Sequence, residues 1–251
     1  MVGRGWDASS YDRVGGPMTE MAAALLDRLE LSGDETVLDA GCGTGRVSQL
    51  LVDRLPRGRV LAVDADPEMV RVARRNLGER AQVDQADLLE LELDEPVDAV
   101  LSTATFHWVL DHATLFRRLH DALRPGGRLV AQFGGRGNIA ALRTIADDLA
   151  TEAPFARWFA GWEAPWHYPG PEETAERLQG AGFTEVATWL QPWPVVPDDP
   201  VEYLATVTLG AQVQRLPVER RQQFVQAVID RCALPVTVGY VRLNVDARRP
   251  G

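Results

Sequence analysis

Between residues 18 and 133 the hydrophobic pattern switches repeatedly between helical spacing and short apolar runs, and this alternation limits the possible folds. Met18, Met21, Ala22, Leu25 and Leu29 form a helical stripe that stops near Gly33. Thr36–Ala40 reads as a short buried strand, and Val47, Leu50, Leu51 and Leu55 form the next stripe, ended by Pro56. Arg59–Val63 is a second strand. Asp66-Pro67 then supplies an N-cap and a first-turn proline for a helix carrying Met69, Val70, Ala73 and Leu77. Gln82-Val83 is a weak third strand and Val97–Ser102 an apolar fourth. Leu115, Leu119, Ala122 and Leu123 mark a helix closed by Pro125-Gly126-Gly127, and Arg128–Phe133 is a fifth strand. Strands and helices alternating over short loops predict an α/β fold, a mostly parallel sheet with helices on both faces.

The rhythm changes after about residue 138. Residues 138–170 read as helical and then irregular, a helix opens at Pro171-Glu172-Glu173, and Phe183–Leu190 is a strand. A break at Pro192, Pro194, Pro197 and Pro200 leads to helical segments up to about Cys232. Val241, Leu243, Val245 and Ala247 then alternate with Arg242, Asn244, Asp246 and Arg248, the pattern of an antiparallel strand near an edge.

Composition narrows the class of partner. A net charge of −10 lacks the basic footprint that nucleic-acid binding needs, and no apolar run approaches the ~20 residues of a membrane span. The N-terminal stretch has no apolar signal core, so a cytoplasmic location is expected. All 26 basic residues are arginine, which excludes lysine-nucleophile and Schiff-base chemistry. Cys42 and Cys232 make neither a disulfide framework nor a zinc spacing, and no metal is expected.

Ligands of an open parallel sheet bind at the carboxyl ends of its strands, near the topological switch point. The first strand runs into "DAGCGTG", Asp39 to Gly45. A dinucleotide loop reads G-x-G-x-x-G, but here the third glycine comes one residue early, at Gly45, and Arg46 holds its place. Asp39 suits an ammonium and is a poor neighbour for a pyrophosphate. Asp64 ends the second strand, 23 residues after Gly41, where a carboxylate can accept from both hydroxyls of a ribose. Asp87, after the third strand, can accept from an adenine amine, with Asp84 as a competing carboxylate. The ligand so outlined carries an ammonium, a ribose and an adenine, and no phosphate.

"VLDAGCGTG", "VLAVDADPEMV", "QADLLEL" and "LRPGGRLVAQF" resemble, in order, the motifs of class I S-adenosylmethionine-dependent methyltransferases. The segment from Val97 to Asn138 is similar to the trans-aconitate methyltransferase branch. The resemblance covers residues 6 to about 190, fades over 191–235 and returns weakly in the last strand. It implies a Rossmann-like methyltransferase fold, with a seven-stranded, mostly parallel sheet and an antiparallel C-terminal strand. One domain over 1–251 is expected, with an N-terminal cofactor cover at about 1–30 and helical lid insertions at about 138–170 and 191–235. S-adenosyl-L-methionine would be the cofactor and S-adenosyl-L-homocysteine the product. By the resemblance, Gly41, Cys42 and Gly43 pass beside the methionine part, Asp39 meets its amino group, and Asp64 holds the ribose. Ala65 and Met69 flank the adenine, Asp87 and Leu88 fix its edge, Thr103 lines the sulfonium region, and Trp6 to Tyr11 fold over the cofactor.

His107, between Phe106 and Trp108 after the fourth strand, is the candidate for binding or orienting the acceptor, and His107 and Trp108 are the expected catalytic positions. A carboxylate acceptor needs no base at pH 7, whereas a phenol, alcohol or amine would use one. Five of the seven tryptophans, Trp158, Trp162, Trp166, Trp189 and Trp193, fall in 158–193 with Phe155, Phe159, His167 and Tyr168. They suggest an aromatic lid over a small molecule, with core packing or a dimer surface as the plain alternative. Arg136 and Asn138 can contact an acid group, or Arg136 can make a surface ion pair; His112 and His120 read as solvated helix positions. The expected function is O-methylation of a small carboxylic acid by a monomer or homodimer. Methylation of a natural-product phenol, amine or carbon, or non-catalytic cofactor binding, is the alternative.

Overall fold

The computed structural model describes residues 22–251. Tyr11, and the stretch Trp6 to Tyr11 expected to fold over the cofactor, lie outside the described residues. Seven strands form one sheet in the order β3-β2-β1-β4-β5-β7-β6. They are β1 (Thr36–Ala40), β2 (Arg59–Asp64), β3 (Gln82–Gln85), β4 (Val97–Thr103), β5 (Leu123–Gly134), β6 (Thr184–Val195) and β7 (Val238–Arg248). Pairs among β1 to β5 are parallel, and β7 runs antiparallel to both β5 and β6. The chain moves outward from β1 to β3 and then returns to β4 on the other side of β1. This reversal opens a crevice at the carboxyl ends of β1 and β4.

Helices α1 (Arg46–Arg54), α2 (Pro67–Leu77), α3 (His112–Ala122) and α6 (Pro171–Gly180) accompany the sheet. Strand β1 is buried along its whole length. Leu38 and Ala40 enter the core on one face, with Phe106, Phe116 and Phe133, while Val37 enters the core on the other, with Leu25 and Leu51. Asp66 caps α2 as expected, accepting from Glu68 N at 2.8 Å and Met69 N at 3.3 Å, with Pro67 in the first turn.

Two expectations change. Helix α3 stops at Ala122, not at Pro125-Gly126-Gly127, and β5 starts at Leu123. Leu123 pairs with Val97 and Arg128 with Ala99, so Arg124–Gly127 bulge out of the β4–β5 register. Strand β6 also continues through Pro192 and Pro194 to Val195, instead of ending at Leu190. It is the edge strand, where a missing N–H can face solvent without breaking the ladder.

A second apolar core lies beyond the sheet. It joins α4 (Ala140–Thr151) and α5 (Ala156–Phe159) to α7 (Pro200–Tyr203), α8 (Gly210–Arg215) and α9 (Val218–Asp230). Phe224 sits at its centre, with ring centroids 5.1 Å from Phe155 and 5.6 Å from Phe159. The segments at 138–170 and 191–235 therefore pack against each other as one helical layer.

Candidate functional site

The glycine loop after β1 is clamped to β2, because the N–H groups of Gly41 and Cys42 both donate to Val63 O at 2.9 Å. Gly41, Gly43 and Gly45 all have positive φ, at 87°, 55° and 86°. Their side-chain surroundings differ. A Cβ on Gly41 would collide with Thr105, whose hydroxyl lies 3.1 Å from Gly41 O and 2.9 Å from Thr103 O. A Cβ on Gly45 would press on Leu77 Cδ1 at 3.0 Å, so Gly45 performs the close helix packing and Arg46 is free to be large. Among the described residues a Cβ on Gly43 would meet nothing within 4 Å. Gly43 faces an open cradle.

Carboxylates surround that cradle. Asp39 is fully buried; its Oδ2 accepts from Ser48 Oγ at 2.6 Å, and its Oδ1 has no hydrogen-bond partner among the described residues. Burial, with the nearby Asp64 charge, pushes its carboxyl up to about 7 despite the Ser48 bond. Asp64 accepts from Gly43 N and from Asp66 N, each at 2.9 Å, and burial also raises its pKa. Burial and the two carboxylates hold the Cys42 thiol protonated, which removes it as a nucleophile. A cationic ligand relieves this arrangement: an ammonium supplies donors to the orphaned Asp39 Oδ1, and any positive centre offsets two crowded carboxylates. The donor set fits an amino acid sulfonium and opposes a pyrophosphate.

The other predicted cofactor residues line the neighbouring strand ends. Ala65 follows β2 and Met69 lies buried in the first turns of α2. Asp87 Oδ1 accepts from Leu89 N at 3.0 Å, and Leu88 is buried. Asp84 turns to solvent, where it meets Gln82 Nε2 at 2.7 Å and Arg74. Thr103 ends β4 and Ala104 follows at φ 54°, a conformation rare for alanine, so the strand turns sharply into the Phe106–Trp108 helical turn.

In that turn His107 is nearly buried. Its Nδ1 accepts from Gly134 N at 3.3 Å, and its carbonyl accepts from His167 N at 2.8 Å. The ring lies 4.8 Å from Trp108 and 5.6 Å from Tyr168. His112 is not solvated as expected. It is 2% exposed, its Nε2 donates to Phe106 O at 2.9 Å, and burial lowers its pKa to about 4. The first turn of α3 points it back into the loop before the helix. His120 is shielded in part by Phe183, at 5.2 Å.

The aromatic segment divides. Trp166 packs edge-on against Trp108 and Trp162, and stacks on Tyr168. Phe155 and Phe159 belong to the second core, and Trp158 lies under Arg157. Trp193 packs against the same second core. Trp189 is on the β6 edge, 40% exposed beneath Arg28, and takes no part in the cluster. A cavity of about 440 Å³ opens beside Tyr168, with Arg136, Arg143, Trp166 and His167 in its wall. Arg136 is paired with Glu172 at 2.7 Å on the surface, and Asn138 Oδ1 accepts from Val241 N at 3.0 Å. Ser48, Thr105 and Gly134 were not singled out from the sequence. Only Ser48 left a signal, on the first turn of the helix after the loop. No cluster that could hold a metal occurs among the described residues, nor any helix long and apolar enough to cross a membrane.

A family model described as a methyltransferase domain matches residues 37–127, from β1 to the β5 bulge. The trans-aconitate 2-methyltransferase of Methylobacterium nodulans is 35% identical over 74% of this chain and 67% of its own length. The Streptomyces coelicolor enzyme of the same name is 30% identical over 88% of this chain and 86% of its own. The Bacillus subtilis YcgJ protein superposes with a TM-score of 0.66 over 92% of this chain and 99% of its own, at 15% identity.

Proposed function

The chain belongs to the class I S-adenosylmethionine-dependent methyltransferases, within the trans-aconitate methyltransferase-like branch, and on that premise we propose that it methylates a carboxylate oxygen of a small acid. The observation that carries this reading is the His107 hydrogen bond. Because Nδ1 accepts from Gly134 N–H, the neutral ring keeps its proton on Nε2. Such a ring donates to an acceptor and is a poor base. A carboxylate needs the donor and no base, since it is already ionised. A phenol or ammonium would need the base.

The cofactor supplies a methyl group already activated on a sulfonium. The chain's own work is alignment and exclusion of water. Asp39 receives the amino group, Gly41, Cys42 and Gly43 give the methionine portion a backbone wall, and Asp64 accepts from the ribose hydroxyls. Ala65, Met69, Asp87 and Leu88 enclose the adenine, and Thr103 borders the sulfonium. His107 Nε2 orients one carboxylate oxygen while the other attacks in line. Trp108, Trp166 and Tyr168 wall the acceptor from water.

The test is label transfer from methyl-tritiated S-adenosylmethionine to panels of acids, phenols and amines, followed by alkali. Methyl esters release labelled methanol, whereas ethers and N-methyl products do not. Release from an acid acceptor is expected. Label that survives alkali refutes the carboxylate reading.

A further inference from the structure

The turn that carries His107 is gripped from behind by a residue that the chemistry above does not use. The Phe106–Trp108 turn presents two successive carbonyls to the elements packed on it. His107 O accepts from His167 N at 2.8 Å, and Phe106 O accepts from His112 Nε2 at 2.9 Å. The His112 and His167 rings lie 5.6 Å apart, so both grips come from one place, beside the first turn of α3. The His112 ring is closed in by Phe116 at 5.5 Å and Phe133 at 5.9 Å.

The bond from His112 is not needed to satisfy the carbonyl, because Phe106 O also accepts from Val109 N at 3.0 Å. A phenylalanine would fill the same aromatic pocket. It would also avoid the cost of a buried Nδ1 with no hydrogen-bond partner among the described residues. What only the histidine adds is a second donor on Phe106 O, which fixes the plane of that peptide. The same plane contains His107 N, so its tilt sets where the His107 ring points. One tether of the ring itself is long: Gly134 N lies 3.3 Å from Nδ1, just beyond the usual range of an N–H donor.

We propose that His112 is a positioning residue for His107: by holding the Phe106 carbonyl, it sets the direction in which His107 Nε2 meets the acceptor. The inference rests on the placing of His107 at the acceptor. In this role His112 contacts neither cofactor nor acceptor and moves no proton. His167 shares the grip through its main chain, so side-chain variants at position 112 isolate the part played by His112.

The experiment compares wild type with His112→Phe, which keeps a ring and loses the donor, and with His112→Gln, whose amide N–H can stand where Nε2–H stood. The first readout needs no acceptor: nitrogen NMR of the His107 ring and hydrogen exchange at Gly134, both on the S-adenosylhomocysteine-loaded protein. Wild type and His112→Gln should show a single Nε2–H tautomer and a protected Gly134 amide. His112→Phe should mix the two tautomers and speed Gly134 exchange at least about tenfold, as the bond to Nδ1 loosens. The second readout is methyl transfer to whichever acceptor takes the label. His112→Phe should lose about ten- to a hundredfold in kcat/KM for that acceptor, with S-adenosylhomocysteine affinity kept within about twofold. His112→Gln should recover most of the loss. An unchanged His107 ring, or full turnover, in His112→Phe overturns the proposal. So does a loss of turnover matched by an equal loss of S-adenosylhomocysteine affinity, or one that His112→Gln does not restore, since the residue is then only structural. If His112→Phe does not fold, His112→Leu carries the same comparison, and if no acceptor takes the label, the ring and Gly134 readouts decide alone. A loosened ring together with label that survives alkali supports the positioning role and refutes the carboxylate reading, so the two fail separately.

Discussion

Gly41→Ala and Gly43→Ala change neighbouring residues of one loop by one methyl group each, yet they should fail in different ways. At Gly41 the methyl group would overlap the outer atoms of Thr105 and lie 2.7 Å from Thr105 Cβ, where carbon contacts settle near 3.5–4.0 Å. Thr105 is held by the carbonyls of Gly41 and Thr103 and has no easy retreat. The left-handed backbone adds about 1–2 kcal/mol for any L side chain, and overpacking typically adds about 1–3 kcal/mol. Gly41→Ala should therefore lose about 2–5 kcal/mol of stability, a large part of a typical domain's ~5–15 kcal/mol. Adding Thr105→Ala should recover part of the loss, because Cγ2 and Oγ1 are the nearest obstacles. At Gly43 only the backbone cost remains, about 1–2 kcal/mol. Its methyl group instead enters the open cradle and should weaken S-adenosylhomocysteine binding at least about tenfold, or ~1.4 kcal/mol. Urea denaturation and titration calorimetry on both variants separate the effects. Wild-type affinity in Gly43→Ala, or equal destabilisation of the two variants, would refute the cradle and the clamp as described.

Stability against pH should expose two buried groups that oppose each other. Asp39 keeps its proton to about 7 when folded but loses it near 3.8 unfolded, so its contribution is full below 3.8 and falls as pH rises to about 7. His112 has its pKa lowered from 6.5 to about 4, so its contribution is full above 6.5 and falls as pH drops to about 4. Asp39→Asn should leave stability rising with pH between 4 and 6.5, and His112→Phe should leave it falling; melting curves across that range check both signs. S-adenosylhomocysteine binding below pH 7 should release a proton as its ammonium ionises Asp39, read as a dependence of binding heat on buffer ionisation enthalpy. His107→Ala should cut turnover or raise the acceptor KM with S-adenosylhomocysteine affinity kept, and full turnover with undiminished acceptor affinity would remove His107 from the site. Phe224→Ala should destabilise by about 3–5 kcal/mol by emptying the centre of the second core. Where the variant remains folded, its acceptor KM should rise while S-adenosylhomocysteine affinity stays within about twofold, if the layer borders the proposed acceptor site and not the cradle.

Where a residue's place follows from its position along a strand or helix, the sequence was enough to locate it. Asp39, Gly41, Gly43, Asp64 and Asp87 stand at strand ends that hydrophobic period alone could locate, and an open parallel sheet brings such ends together whatever the loops do. The departure at Gly45–Arg46 was legible as a break with the dinucleotide rule, but its cause was not. Leu77, 32 residues later, occupies the space that a side chain on Gly45 would need. His112 looked solvated because a lone histidine in the first helical turn carries no sign of the Phe106 carbonyl behind it. Pro192 and Pro194 looked like a break because proline cannot donate in a central strand, and only the sheet order shows that β6 is an edge.

The sequence by itself determined the α/β sheet, the carboxylates at its strand ends and the glycine loop, because those depend on periodicity and on spacings inside single β-loop-α units. Tertiary structure alone decided the surroundings of His107 and the packing of the helical layer. The tautomer of His107 is set by Gly134, and the packing of 138–170 on 191–235 is set by a shared core around Phe224. These are contacts between segments far apart in sequence, and no local pattern records which partner a buried polar group will meet.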